Sequence, residues 1–181
     1  FGYFMDSMRV LGLLDNTMVI FVADHGHSIG DRNYIGKRGY PSGREVHAVP
    51  LMVRFPKREH AGKSSDLFVQ HIDISAAILN AAGAAPPAEM DGRPFIQDAL
   101  AGRPGSRDHV TVAWGTTPTV ITDRWWFNCK VDGSGVLLHD LKAPDPFGMN
   151  VARDNPDVVN NLFALAKEDA KGGFPEWLVE M

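Results

Sequence analysis

An apolar run at residues 18–23 (MVIFVA) ends abruptly in Asp24-His25-Gly26, and this feature constrains the fold of the chain more than any other. The run is rich in β-branched and aromatic residues and shows no polar alternation, which predicts a parallel strand covered on both faces. Ligands of such sheets bind beyond the carboxyl ends of the strands. The sequence therefore predicts an α/β fold with a functional site directly after this strand.

Asp24 and His25 are the predicted metal ligands of that site. A carboxylate supplies a hard oxygen and an imidazole supplies a borderline nitrogen, so the pair suits a divalent cation such as Ca, Mg, Mn or Zn. Gly26 would let the backbone turn sharply after the ligands. The same three residues are equally compatible with a capped turn that holds no metal, so the loop that follows decides between the two interpretations.

Cationic side chains follow the pair in that loop, at Arg32, Lys37 and Arg38. An ammonium group beside a divalent cation can hold a tetrahedral sulfate or phosphate and neutralise the charge that develops on it during transfer. Lys37 is therefore predicted to be a catalytic and substrate-binding residue. The alternative is that Lys37 and Arg38 are ordinary solvated loop charges.

Sequence landmarks along nearly the whole chain resemble those of the sulfatase family of the alkaline phosphatase superfamily, and they occur in the family's order. The Gly36-Lys37 pair matches the family's Gly-Lys, whose lysine contacts the sulfate. The other landmarks are FMDSMRVLGLLDNTMVIFVADHG (4–26), EVHAVPLMVRFP (45–56), FVQHIDISAAILNAAG (68–83), MDGRPF (90–95), ITDRW (121–125) and LHDL (138–141), followed by Asp145-Pro146 and Asn150-Val151-Ala152.

The resemblance implies the C-terminal portion of an alkaline-phosphatase-like, mostly parallel sheet with crossover helices, plus a small antiparallel sheet packed on a C-terminal helix. Residues 1–103 of this chain would form the C-terminal portion of the α/β catalytic domain. Residues 104–181 would form a small C-terminal α+β subdomain. Asp24 and His25 would hold one divalent cation, with Ca favoured over Mg or Mn. Lys37 would hold a sulfate oxygen, and His47 lies in a segment that borders the site in sulfatases.

The family's nucleophile motif, Cys-x-Pro-x-Arg or Ser-x-Pro-x-Arg, is absent from this sequence. The single cysteine, Cys129, lies in a strand-like context without the proline and arginine, so it is predicted to be a packed residue. The resemblance therefore implies a part of an enzyme that cleaves sulfate esters of small molecules or glycans. The missing N-terminal portion of the same protein would supply the formylglycine nucleophile, and this chain alone would not turn over substrate.

Two alternatives remain open at this stage. The first is a phosphodiesterase or phosphatase of the same superfamily with two Zn ions, although Lys37 favours the one-metal arrangement. The second is a non-catalytic module that keeps the fold. The net charge of −4 and the lack of a basic run make nucleic acid an unfavourable partner. No apolar segment approaches the roughly 20 residues that a membrane span requires.

Periodicity and turn signals predict the remaining elements. A helix at residues 1–11 would pack its apolar face in the core and end at Gly12, a strand would cover 49–55, and Asp73 would cap a helix over 74–82. Antiparallel strands are expected at 109–114, 119–122, 125–131 and 135–141. Asn155-Pro156 would begin a helix that packs on this sheet through Val158, Val159, Leu162, Phe163 and Ala166.

Overall fold

The computed structural model describes residues 1–37, 40 and 42–179, so Arg38 of the predicted cationic loop lies outside the described residues. The helices are α1 (Gly2–Val10), α2 (Arg44–His47), α3 (His71–Ala81), α4 (Ile96–Ala101), α5 (Pro156–Asp169) and α6 (Glu176–Val179). The strands are β1 (Val19–Val22), β2 (Ser28–Ile29), β3 (Ile35–Gly36), β4 (Leu51–Arg54), β5 (His109–Trp114), β6 (Thr117–Thr122), β7 (Trp125–Asn128) and β8 (Leu137–Asp140). No described helix is both long and apolar enough to cross a bilayer.

Strand β1 forms from the apolar run, as predicted, and the α/β class is confirmed. Its ladder partner within the described residues is β4, which runs antiparallel with Val22 opposite Leu51. The expected parallel pairing of this strand is therefore not found among the described residues, and all four residues of β1 are only half-buried. An apolar run indicates that both faces of a strand are suited to burial, but it carries no information about the direction of the neighbouring strand.

Helix α1 ends as predicted, because Gly12 adopts a φ of +68° that favours glycine. The prediction that its apolar face packs in the core is wrong in this chain, since none of the α1 residues is buried. Phe4 and Leu11 are 53% and 68% exposed. The ring of Phe1 contacts Phe21 of β1 at a centroid distance of 5.2 Å. Helical periodicity defines an apolar face, whereas the surrounding chain decides whether anything covers that face.

Helix α3 begins at His71, three residues before the predicted start at 74. Asp73 does cap this helix, but it does so from inside the first turn. Its Oδ2 accepts a hydrogen bond from the backbone N–H of Gln70 at 2.8 Å, as the acidic member of a capping box does. Asp73 thus caps the helix as predicted, but it lies at the third position of the helix and not before its first residue.

The C-terminal part forms an antiparallel sheet in the order β5-β6-β7-β8, with α5 packed against it as predicted. Strand β5 has the predicted bounds, and β6 begins earlier than predicted, at Thr117. Strands β7 and β8 are shorter than predicted, with β7 ending at Asn128 and β8 beginning at Leu137. Cys129 is fully buried in this core, and burial raises the pKa of its thiol to about 12. It is therefore a packed residue, as predicted, and not a nucleophile. The buried core members are Val120, Phe127, Cys129, Leu138, Leu162 and Ala166.

A buried polar group joins the loop after β3 to this sheet. It comprises Ser42, Thr119, Trp126 and Asn128, called the Ser42 cluster below. The Ser42 and Thr119 hydroxyls lie 3.0 Å apart, Asn128 Nδ2 donates to Thr119 Oγ1 at 2.6 Å, and the Trp126 indole N–H donates to the Ser42 carbonyl at 3.2 Å. Because a buried polar group is costly without a hydrogen-bond partner, these contacts favour one docking position of the loop.

Candidate active site

The end of β1 is held against the first turn of α3. The Ala23 carbonyl lies 2.8 Å from Nε2 of His71 and can only accept, so His71 carries its proton on Nε2. Asp24 and His25 follow directly. The candidate ligands are therefore placed at the end of a strand that a neighbouring helix anchors.

Gly26 is required by a close backbone approach and not by an unusual torsion angle. Its N–H donates to the Val46 carbonyl at 2.9 Å, which brings α2 against the loop. A Cβ at this position would lie 1.8 Å from the Glu45 carbonyl oxygen. Gly26 is not among the glycines with positive φ, so the expected sharp turn is not the reason for glycine here.

Asp24, His25 and Lys37 converge at one ring nitrogen of His25. Nδ1 of His25 lies 2.9 Å from the Gly26 carbonyl, which can only accept, so Nδ1 carries the proton and Nε2 keeps its lone pair. The Lys37 ammonium lies 3.0 Å from this Nε2, and Oδ2 of Asp24 lies 3.4 Å from it. The structure thus brings together the predicted metal pair and the predicted lysine.

A short hairpin returns the chain from His25 to Lys37. Strands β2 and β3 pair Ser28 with Gly36, and Lys37 follows immediately. The Ser28 hydroxyl donates to Oε1 of Glu45 at 2.9 Å, and Arg32 pairs with the same carboxylate. Glu45 in α2 therefore holds the hairpin in the orientation that places Lys37 beside His25.

The electrostatics of the pair suit a cation. The backbone N–H of His25 donates to Oδ1 of Asp24 at 2.9 Å and holds the pKa of this exposed carboxyl below its usual value. An ionised carboxylate and an imidazole lone pair are the donor types that divalent cations take. No group of three or more His, Cys, Asp or Glu side chains that could hold a metal occurs in residues 1–37, 40 and 42–179. The pair therefore offers part of a coordination shell.

His47, the remaining predicted site residue, packs elsewhere. Its ring faces Trp126 at a centroid distance of 6.0 Å, and burial lowers its pKa. Its Nε2 is buried without a hydrogen-bond partner among the described residues. Among those residues no hydrogen bond or ring contact joins His47 to Asp24, His25 or Lys37, so its contact with substrate stays a prediction.

Trp114 lies at the site, and sequence reasoning did not find it. Its indole contacts the His25 ring edge-to-face at a centroid distance of 6.2 Å, and the Lys37 ammonium lies 5.5 Å from the centroid of the indole. The only local signal was its place at the end of the predicted strand 109–114. Nothing in that signal connects the strand with residues near the start of the chain.

Residues 2–84 match the sulfatase family model. This match and the relatives described next show that the chain is similar to the sulfatase family of the alkaline phosphatase superfamily. The resemblance inferred from the sequence landmarks is thereby confirmed.

Curated relatives are much longer than this chain. It is 34% identical over 51% of its length to the multifunctional alkaline phosphatase superfamily protein PehA of Trinickia caryophylli, and covers 18% of that protein. It is 29% identical over 92% of its length to the N-acetylglucosamine-6-O-sulfatase of Bacteroides thetaiotaomicron, and covers 30% of that enzyme. The chain therefore spans less than a third of either relative.

Solved structures share the fold over almost the whole chain. A protein in complex with its substrate D-glucosamine-2-N,6-O-disulfate superposes with a TM-score of 0.78 at 18% identity, over 96% of this chain and 38% of that one. The phosphonate monoester hydrolase of Silicibacter pomeroyi superposes with a TM-score of 0.77 at 20% identity, over 98% of this chain and 39% of that one. The chain thus shares the fold of part of each of these longer chains.

Proposed function

We propose that this chain is the C-terminal part of a sulfatase-type hydrolase that cleaves sulfate esters of small molecules or glycans. The supporting observation is the convergence of a carboxylate, an imidazole lone pair and an ammonium group at the end of β1. A site of this composition can hold a tetrahedral anion and stabilise the charge that develops on it. The sugar sulfatase relative and the disulfated glucosamine bound by a structural neighbour support a glycan sulfate as the substrate.

Asp24 and His25 would hold one divalent cation, with Ca favoured over Mg or Mn. The donor set fits, because the Nδ1–H of His25 is committed to the Gly26 carbonyl and Nε2 keeps its lone pair for a ligand bond. A bound cation would supply polarisation of the sulfate and activation of the nucleophile. Two protein donors are too few for a Ca shell, so further ligands would come from the rest of the protein.

Lys37 would bind a sulfate oxygen and stabilise negative charge in the transition state. In the described structure its ammonium donates to the same His25 lone pair that a cation would use. One lone pair serves one partner, so ligation of a cation by His25 would release the Lys37 ammonium toward the anion.

The nucleophile would be a formylglycine in the N-terminal portion of the complete protein. Two features of this chain support an additional polypeptide at this place. In the described residues, β1 and β4 form a sheet of only two strands, which is marginal by itself, and no residue of α1 is buried. The chain alone is therefore expected to be inactive.

A second candidate is a phosphonate or phosphate ester hydrolase of the same superfamily that uses two Zn ions. The structural similarity to a phosphonate monoester hydrolase favours it, and an Asp-His pair suits Zn as well as Ca. Measurement of metal content in the complete protein separates the two. One Ca per protein supports the sulfatase, and two Zn supports the alternative.

Substitution of the site residues in the complete protein tests the proposal. Asp24→Ala should abolish metal retention and sulfate ester hydrolysis. Lys37→Ala should keep the metal and lower kcat by about 10² to 10³, the effect of losing one preorganised donor. Lys130→Ala, in the turn after β7, is the matched control and should leave both unchanged. Wild-type rates in both Asp24→Ala and Lys37→Ala would show that the site is assigned wrongly.

A further inference from the structure

We infer that Trp114 is a positioning residue for the Lys37 ammonium, an inference that rests on the proposed function of this site. The ammonium lies 5.5 Å from the centroid of the indole, within the range of a cation–π contact. The same indole meets the His25 ring at an interplanar angle of 78°. Trp114 thus touches both residues whose nitrogens meet at 3.0 Å.

The backbone that carries Trp114 is more firmly held than the backbone that carries Lys37. It is the last residue of β5 and pairs with Thr117 across a tight turn in which Gly115 has a φ of +54°. The Thr111 carbonyl in the same strand accepts a hydrogen bond from Gln70 Nε2 at 3.3 Å, which ties β5 to the start of α3. Lys37, in contrast, is exposed and follows a strand of only two residues. The sheet therefore supplies a fixed surface against which a flexible side chain is placed.

The kind of contact matters for an ammonium group that must bind an anion. None of the ion pairs among the described residues involves Lys37. A carboxylate partner would neutralise the ammonium and compete with sulfate for its N–H groups. An indole attracts the cation through its quadrupole and accepts no conventional hydrogen bond. Trp114 can thus restrict Lys37 while leaving its charge and its donors for the substrate.

This arrangement makes the site composite. Asp24, His25 and Lys37 come from the loop after β1, whereas the surface that orients Lys37 comes from the C-terminal sheet. A lysine that is already oriented loses less conformational freedom when the anion binds. Loss of the indole should therefore weaken the contribution of Lys37 without changing the metal ligands.

A first test uses the complete protein and needs no catalysis. In wild type, NMR signals of the Lys37 ε-methylene protons should be shifted upfield by the indole ring current. Trp114→Leu should return them to ordinary lysine values, and Trp114→Phe should keep part of the shift. Trp125→Leu is the matched control, because Trp125 contacts Arg124 and should leave Lys37 unaffected. Ordinary Lys37 shifts in the folded wild-type protein would overturn the inference.

A second test measures hydrolysis and metal content in the complete protein. Trp114→Leu should lower kcat/KM by about twofold to fivefold, the range of one exposed cation–π contact, with metal content unchanged. Trp114→Phe should keep most of the activity. In a Lys37→Ala background, Trp114→Leu should cause no further loss. If Trp114→Leu lowered kcat/KM in the Lys37→Ala background as much as in the wild type, the inference would be overturned. If Lys37→Ala itself has no effect while the ring-current shift is present, the proposed function fails and the contact stands.

Discussion

Two glycines show how single residues determine the packing around the candidate site. At Gly26 an added Cβ would lie 1.8 Å from the Glu45 carbonyl oxygen, and at Gly92 it would lie 2.1 Å from the Ile72 carbonyl oxygen. Both positions are places where the backbone of one segment meets the backbone of a helix. A side chain there must move backbone atoms, which is more costly than rotating a flexible neighbour.

Gly26→Ala should therefore destabilise the chain by about 1–3 kcal/mol, the cost of inserting a group into a packed contact. Urea unfolding followed by circular dichroism measures the change. Gly2→Ala is the control, because nothing lies within 4 Å of a Cβ at that position in α1. Equal midpoints for Gly26→Ala and wild type would show that α2 does not approach the loop as described.

At the scale of elements, the start of α3 depends on one buried carboxylate. Asp73 is 2% exposed, and it accepts hydrogen bonds from the Arg107 guanidinium at 2.7 and 3.0 Å and from the Arg93 backbone at 2.8 Å. Burial by itself would raise the pKa of Asp73, but Arg107 and the backbone N–H groups of Gln70 and Arg93 together lower it below the usual value. This carboxylate joins the helix to the segments around residues 93 and 107.

Asp73→Asn should lower stability at pH 7 by about 3 kcal/mol, because Arg107 would lose its buried partner. The folded pKa of Asp73 is lowered, so its contribution is present above the unfolded value of about 3.9 and disappears as pH falls through the folded value. Urea unfolding at pH 7 and near pH 3 should therefore show a smaller difference between wild type and variant in acid.

Asp6→Asn provides the control for this experiment. Asp6 pairs with Arg9 on the surface of α1, where its side chain is 64% exposed, and such pairs contribute about 0–1 kcal/mol. If Asp73→Asn lowered the free energy of unfolding as little as Asp6→Asn does, the stabilising role of the Asp73–Arg107 pair would be contradicted.

At the scale of the whole molecule, the loop that carries Lys37 is attached to the C-terminal sheet. The Ser42 cluster forms the buried part of this attachment, and the Tyr40 hydroxyl donates to the Gly135 carbonyl at 2.5 Å. The two halves of the chain are thus joined by polar contacts as well as by apolar packing. Rigidity of the candidate site should depend on residues far from it.

Thr119→Val tests this coupling because it keeps the shape of the side chain and removes the hydroxyl. Ser42 and Asn128 would lose a buried partner, so stability should fall by about 1–3 kcal/mol. Amide hydrogen exchange in residues 42–47 should become faster than in wild type. Thr116→Val, which changes a half-buried threonine in the β5–β6 turn, is the control. Unchanged exchange in this loop would show that the sheet does not restrain it.

Local patterns predicted the elements well where neighbours in sequence decide the structure. The strand before Asp24, the helix after Asn155-Pro156 and the four antiparallel strands all form. The convergence of Asp24, His25 and Lys37 was expected from the family resemblance and is present in the geometry, while their roles remain proposals.

By itself the sequence determined where most of the longer helices and strands form, which polar residues follow β1, and which family the chain resembles, because these properties depend on residue types and short spacings. Only the tertiary structure decided that β1 pairs antiparallel with β4, that Gly26 is needed for a backbone approach, and that Trp114 reaches Lys37. These outcomes depend on strand direction and on contacts between distant segments. No local pattern encodes them, because many packings satisfy the same periodicity.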